Sequence, residues 1–154
     1  MKKQKSMGNK GFSLVELIIV IAIMAILVGV LAPNLLKYVE RSRVSADTQV
    51  ADTVRTALMT AMLDPSADAA TLPGATGVAT SGNITDITKG ANNAYGTLVE
   101  EILGDTTANV AKKLKSKAYK GQPIMYAINN NEVVITIASN DSTVDSLRIP
   151  EATS

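Results

Sequence analysis

The apolar and polar positions of this 154-residue chain change rhythm along its length. From Phe12 to Ala32, twenty-one consecutive residues carry a single charge, Glu16. As a helix rising about 1.5 Å per residue, this block spans roughly 30 Å, one hydrocarbon thickness of a bilayer. After Pro33 the pattern opens. Leu36, Val39, Val50, Val54, Leu58, Ala61 and Met62 recur at spacings near three and four, while Lys37, Glu40, Arg41, Arg43, Asp47, Asp52 and Arg55 fill other faces. This spacing predicts an amphipathic continuation of the same helix. Pro33 has no amide proton, so it bends or locally opens the helix without necessarily ending it. The expected product is one rod of about fifty residues ending near Asp64 and Pro65.

Between Asp64 and Asn93 the composition shifts to Ala, Thr, Gly, Ser, Asn and Asp, which predicts a long surface connection with a short strand or turn inside it. Two short helices are then expected, over AYGTLVEEILGD and TTANVAKKLKSKAYKG, the second capped by Thr106 or Thr107 and followed by Gly121. Further on, Ile124, Tyr126 and Ile128 alternate with polar or smaller residues, as do Val133, Ile135 and Ile137. That alternation predicts antiparallel strands with one buried face. A small antiparallel sheet laid on the amphipathic half of the long helix buries both apolar faces, so the expected fold is α+β.

The chemistry available to this chain is narrow. It has no Cys and no His, which excludes disulfides, Cys nucleophiles, histidine-based triads and the usual zinc sites. The composition argues against an enzyme and calls for no cofactor or metal. The formal charge of +1 conceals a division. Lys2, Lys3, Lys5 and Lys10 lie ahead of the apolar block with no acid among them; beyond Gly11, eleven basic residues face fourteen acidic ones, a net of −3. The basic flank predicts a cytoplasmic N-terminal end, with everything after Pro33 outside. The mildly acidic remainder gives no general reason to expect direct nucleic-acid binding.

Three readings compete for the N-terminal block. A secretory signal has a basic start and an apolar middle, but Glu16 interrupts the run and Pro33 would follow the faint small-residue site at Val30–Ala32. A permanent single-pass anchor fits the length and flanks and leaves Glu16 unexplained. The third reading rests on resemblance. KGFSLVELIIVIAIMAILVGVLAPNLLKY resembles the start of a type IV prepilin: a basic leader ending in Gly11, then Phe12, then a hydrophobic helix with Glu16 at its fifth position.

This resemblance covers about the first fifty residues. It implies a pilin-like fold, cleavage between Gly11 and Phe12 by a membrane-embedded prepilin peptidase, and N-methylation of Phe12. The implied organisation is a cleaved leader over 1–11, a transmembrane and filament-core helix over 12–35, and an amphipathic half over 36–64. An αβ-loop follows over 65–93 and the rest of the globular head over 94–154. The expected role is a structural subunit: a major pilin that polymerises through its N-terminal helix into an extracellular filament supporting adhesion, surface motility and aggregation. Its expected partners are sister copies, the peptidase, minor pilins and the inner-membrane assembly platform, with the membrane itself holding it before assembly. A pseudopilin or minor pilin of a secretion or competence system shares the same signal, and an anchored extracytoplasmic binding module remains an alternative. Lacking cysteine, the chain resembles the pilins of Gram-positive anaerobes such as clostridia.

Residue by residue, Glu16 is expected to neutralise the amino terminus of Phe12 in a neighbouring subunit or its own, because an unpaired carboxylate in an apolar filament core is costly. The bland alternative is a carboxylate snorkelling near a helix end. Gly29 and Pro33 are candidate points of helix loosening. Lys112, Lys113, Lys115, Lys117 and Lys120 read first as a solvated helix face, and second as partners for an acidic patch such as Glu100 and Glu101 on an adjacent subunit. Asn140, Asp141 and Asp145 read as a turn between strands.

Overall fold

The computed structural model describes residues 11–67, 80–87, 89–90, 93–129 and 132–150. The expected leader up to residue 10, and 68–79, 88 and 91–92 of the expected connection, lie outside them. Helix α1 runs without a break from Leu14 to Leu63, fifty residues, with Pro33 inside it. It ends where Pro65 follows Asp64. Asp64 Oδ1 accepts hydrogen bonds from the Ser66 N–H at 2.8 Å and the Ser66 hydroxyl at 2.5 Å, so the chain turns instead of continuing the helix. These bonds also hold the Asp64 carboxyl below its ordinary pKa.

The chain divides after Val39 into two contact units. The second contains the sheet and the later part of α1. Strands β1 (Ser81–Asn83), β2 (Ile124–Asn129), β3 (Glu132–Ile137) and β4 (Leu147–Ile149) form an antiparallel meander in the order β1-β2-β3-β4. The register pairs Ile124 with Ile137, Tyr126 with Ile135 and Ile128 with Val133. All six side chains are buried, so the two alternating runs of the sequence meet on a single face. Against this face α1 presents Ala51, Val54, Leu58 and Ala61, which join the same core. Arg55 adds a polar tie, its Nε–H donating to the Val133 carbonyl at 2.9 Å.

Helix α2 (Ala94–Leu103) is capped by Asn93, whose side chain accepts from the Gly96 N–H, and ends at Gly104 in the left-handed region, φ 66°. Glycine takes that conformation without the Cβ penalty that other residues meet. Tyr95 and Val99 turn into the core, and the Tyr95 hydroxyl donates to the Leu58 carbonyl at 3.2 Å. Burial first, and the neighbouring Tyr126 second, push the Tyr95 pKa up, so the phenol stays protonated.

Two expectations need correction. The second short helix, expected over Thr106–Gly121, is only Thr107–Ala111 (α3), with Thr106 as its cap. From Lys112 the chain leaves the helix, and the backbone donors of Lys115, Ser116 and Lys117 go to α1. The Lys115 and Ser116 N–H groups each donate to the Asp47 carboxylate at 2.8 Å, and the Lys117 N–H donates to Glu40. Asp47 is the second correction. The charge pattern places it among the polar faces of α1, yet it is 1% exposed and lies on the packed stripe Asp47, Ala51, Val54, Leu58, Ala61. A buried carboxylate is tolerated there because both its oxygens accept backbone donors.

Candidate functional site

The candidate site is the first part of α1 and the residues just ahead of it. Gly11, Phe12 and Ser13 precede the helix, and Phe12 is 90% exposed. Ser13 begins α1 with a reciprocal cap. Its Oγ accepts from the Val15 N–H at 3.3 Å, and Glu16 reaches back so that its Oε2 accepts from the Ser13 N–H at 2.8 Å. Two backbone donors that the first helical turn leaves over are thereby satisfied, and a negative charge sits at the positive end of the helix dipole. Sequence reasoning misses this role for Glu16, although Ser13-Leu14-Val15-Glu16 carries the S-x-x-E spacing of a capping box.

Beyond the cap the helix surface is apolar all round. From Phe12 to Leu31 the large hydrophobic side chains are 48% to 90% exposed. The helix is long and apolar enough to cross a membrane. A surface of this kind exceeds what a monomer in water leaves uncovered, and it calls for lipid or other protein around it.

Gly29 and Pro33 stand at the two ends of one missing hydrogen bond. Within a helix the N–H of position 33 would donate to the carbonyl of position 29, and proline has none. A Cβ at Gly29 would meet nothing within 4 Å. One turn on, the Asn34 side-chain amide donates to the Val30 carbonyl at 3.4 Å. The helix therefore continues across Pro33 with one carbonyl lacking its helical partner.

The charged groups of the head are arranged for internal bonding. Glu100 accepts from the Thr107 N–H at 3.1 Å, which ties α2 to α3. Asp105 accepts from the Asn109 side chain at 2.9 Å, from the Thr106 N–H at 2.8 Å and from Lys113 Nζ at 3.0 Å. These bonds, led by that of Asn109, hold its pKa down to about 2. Glu100 and Asp105 line an open hollow of about 540 Å³ together with Lys89, Thr97, Glu101 and Thr106. Of the pairing expected between the lysine cluster and Glu100, the structure places Glu100 in an intrachain role, and Lys113 finds its partner in Asp105 instead. Lys112, Lys115, Lys117 and Lys120 are exposed, though not on a helix. Asp141 accepts from the Thr143 N–H at 3.0 Å and from its hydroxyl at 2.7 Å, a turn between β3 and β4.

Residues 6–32 match the prokaryotic N-terminal methylation motif. The chain is also similar to type IV major fimbrial proteins, FimA, of Dichelobacter nodosus. Three of these are 43% identical over 56 residues, which is 36% of this chain and 35–36% of the relatives' length. The similarity thus spans about a third of those relatives. No solved structure matches significantly. The motif and the relatives mark the N-terminal region as that of a type IV pilin. A long apolar N-terminal helix continuing onto a small antiparallel sheet accords with a pilin fold.

Proposed function

We propose that this chain is the structural subunit of a type IV pilus, a major pilin that is cleaved between Gly11 and Phe12 by prepilin peptidase, N-methylated at Phe12 and polymerised through α1. The observation that carries this reading is the exposed apolar surface from Phe12 to Leu31, which lies within the residues that match the methylation motif. In the membrane that surface is covered by lipid, with the N-terminal end cytoplasmic; in the filament it is covered by sister helices. The burial is similar in both places, so the net driving force is small, and an assembly platform with minor pilins can drive polymerisation or its reversal. Adhesion, surface motility and aggregation are the roles that such a filament supports.

Glu16 supplies the register. Leu17 to Ala32 form a uniform apolar surface that tolerates several axial placements, whereas a carboxylate that must meet a newly formed amine tolerates few. Cleavage creates that amine one residue ahead of Ser13, beside the cap that Glu16 closes. Leaving one member of a buried ion pair unpartnered costs about 3–5 kcal/mol. Gly29 and Pro33 give the helix its point of local extension under load.

The test separates the charge of Glu16 from its capping role. Glutamine also closes a capping box, so Glu16→Gln keeps the cap and loses the charge. The expected outcome is normal membrane insertion and cleavage, read by the mass of the N-terminal peptide, with filaments lost under electron microscopy. Normal filaments from Glu16→Gln would remove the register role, and a filament subunit retaining residues 1–11 would remove the proposed cleavage.

A further inference from the structure

The chain around α3 leaves a groove that its own side chains do not fill. Ala108 and Ala111 stand one turn apart on α3, Leu114 follows, and Gly121, at φ 79°, turns the chain so that Pro123 joins them. These residues line an open groove of about 500 Å³ together with Lys112 and Lys120. Two small alanines leave room for an incoming side chain, and proline brings no N–H to the surface. The lining carries two ammonium groups and no carboxylate. Neither lysine forms an ion pair among the described residues. Two acids are bonded close by. Asp86 accepts from the Asn83 N–H at 3.3 Å, and the buried Asp47 accepts from the Lys115 and Ser116 amides just past Leu114. With Lys115 exposed as well, three lysines face these two acids, and the groove keeps a positive excess.

A second surface of the head complements it. Near its C-terminal end α2 presents Glu101 and Ile102, both exposed, Ile102 to 42%. Glu100, Glu101 and Asp105 line one hollow with Lys89, and Lys113 pairs with Asp105 at 3.0 Å, which leaves a negative excess. A lone exposed isoleucine is ordinary. This one adjoins a carboxylate, and the groove likewise joins apolar side chains to cations. The two surfaces share no residue, so a copy can offer its α2 end to one neighbour while its groove receives another. Such a contact is heterologous, and it propagates as an open helix wherever its rotation does not close a ring.

We propose that Glu101 and Ile102 of one head dock into this groove on a second copy, Ile102 against Ala108, Ala111 and Leu114, and Glu101 against Lys112 and Lys120. Glu100 is not the partner, because Thr107 holds it. The inference rests on reading the chain as a filament subunit. Apolar helices pack with little preference for one neighbour, whereas complementary charge on the heads favours one pairing and penalises others.

The chain has no cysteine, so one introduced thiol is the sole thiol of its copy. Ile102→Cys and Ala108→Cys variants are expressed apart and together, and sheared filaments are oxidised and separated without reductant. Each variant alone is expected to stay monomeric on the gel, and the two together to give a disulfide dimer with one copy of each, read by mass spectrometry. Adding Glu101→Lys to the Ile102→Cys copy should lower that dimer about fivefold, the scale of an exposed ion pair. Adding Lys112→Glu and Lys120→Glu to the Ala108→Cys copy should then restore it. Filaments without the mixed dimer, as much dimer from either variant alone, or no restoration by the exchanged charges would overturn the inference and leave the pilus reading standing. Where a thiol variant does not assemble, the same charge exchange in the thiol-free chain is read as filament yield under electron microscopy, and failure to restore that yield overturns the inference equally. A parent chain that forms no filaments would overturn both.

Discussion

Asp47→Ala should be the most damaging single change in the polar part of the head. The side chain is 1% exposed, and its two oxygens accept from the Lys115 and Ser116 amides at 2.8 Å each. Alanine leaves both donors without an acceptor. An unsatisfied buried donor costs about 1–3 kcal/mol, and because the Lys115 amide is only part-buried the pair amounts to roughly 2–5 kcal/mol. At about 4 °C per kcal/mol for a head of this size, the midpoint of unfolding should fall by roughly 8–20 °C. Asp47→Asn keeps one acceptor and turns an amide donor toward the second N–H, so its loss should be of the same order. Glu40→Gln is the control, because its amide oxygen still accepts from the Lys117 N–H at an exposed site; it should cost under about 1 kcal/mol. The assay is thermal unfolding of the full chain in detergent micelles, followed by tyrosine circular dichroism, with amide exchange read on the peptide containing Lys115 and Ser116. An Asp47→Ala chain that melts within about 2 °C of the parent, with those amides still protected, would refute the account of the clamp.

Two further outcomes follow from the same bonding and packing. The folded pKa of Asp105 lies near 2, below the ordinary value of 3.8, so its contribution to stability is present above that ordinary value and is lost as pH falls from about 4 toward 2. Carboxyl resonances in a nuclear magnetic resonance titration should place the Asp105 midpoint near 2, and Asn109→Ala, which removes the leading cause, should raise it; an unchanged midpoint would contradict the assignment. Ile135→Ala, at a fully buried position opposite Tyr126, should cost about 2–5 kcal/mol in urea unfolding. Met125→Ala, on the outward face and 40% exposed, should cost under about 1 kcal/mol, and equal losses would deny that the sheet has one buried face.

Much of this protein was determined by local pattern. Uninterrupted apolarity from Leu17 to Ala32 suits a helix covered on all sides, and the three-and-four spacing of Val54, Leu58 and Ala61 points these residues to one face. Ile124, Tyr126 and Ile128 alternate because a strand sends successive side chains to opposite faces. The cap at Ser13 and Glu16 is equally local, and its S-x-x-E spacing within four residues is the signal that sequence reasoning missed. Each of these features depends on neighbours close in the chain, which is why the spacing of the sequence carries it.

What the tertiary structure decided depends on distant partners. Asp47 looks like a surface charge on its own helix, and only donors 68 and 69 residues away make its burial tolerable. The Lys112–Lys120 stretch has a helical composition after Ala111, yet the amides of Lys115, Ser116 and Lys117 are taken by α1, and a donor committed to another element cannot also close a helical turn. Glu100 looks free to meet another subunit until Thr107 is brought to it by the turn between α2 and α3. A carboxylate shows its type in the sequence, but whether it faces water, a cation or a buried amide is set by whatever the rest of the chain packs beside it.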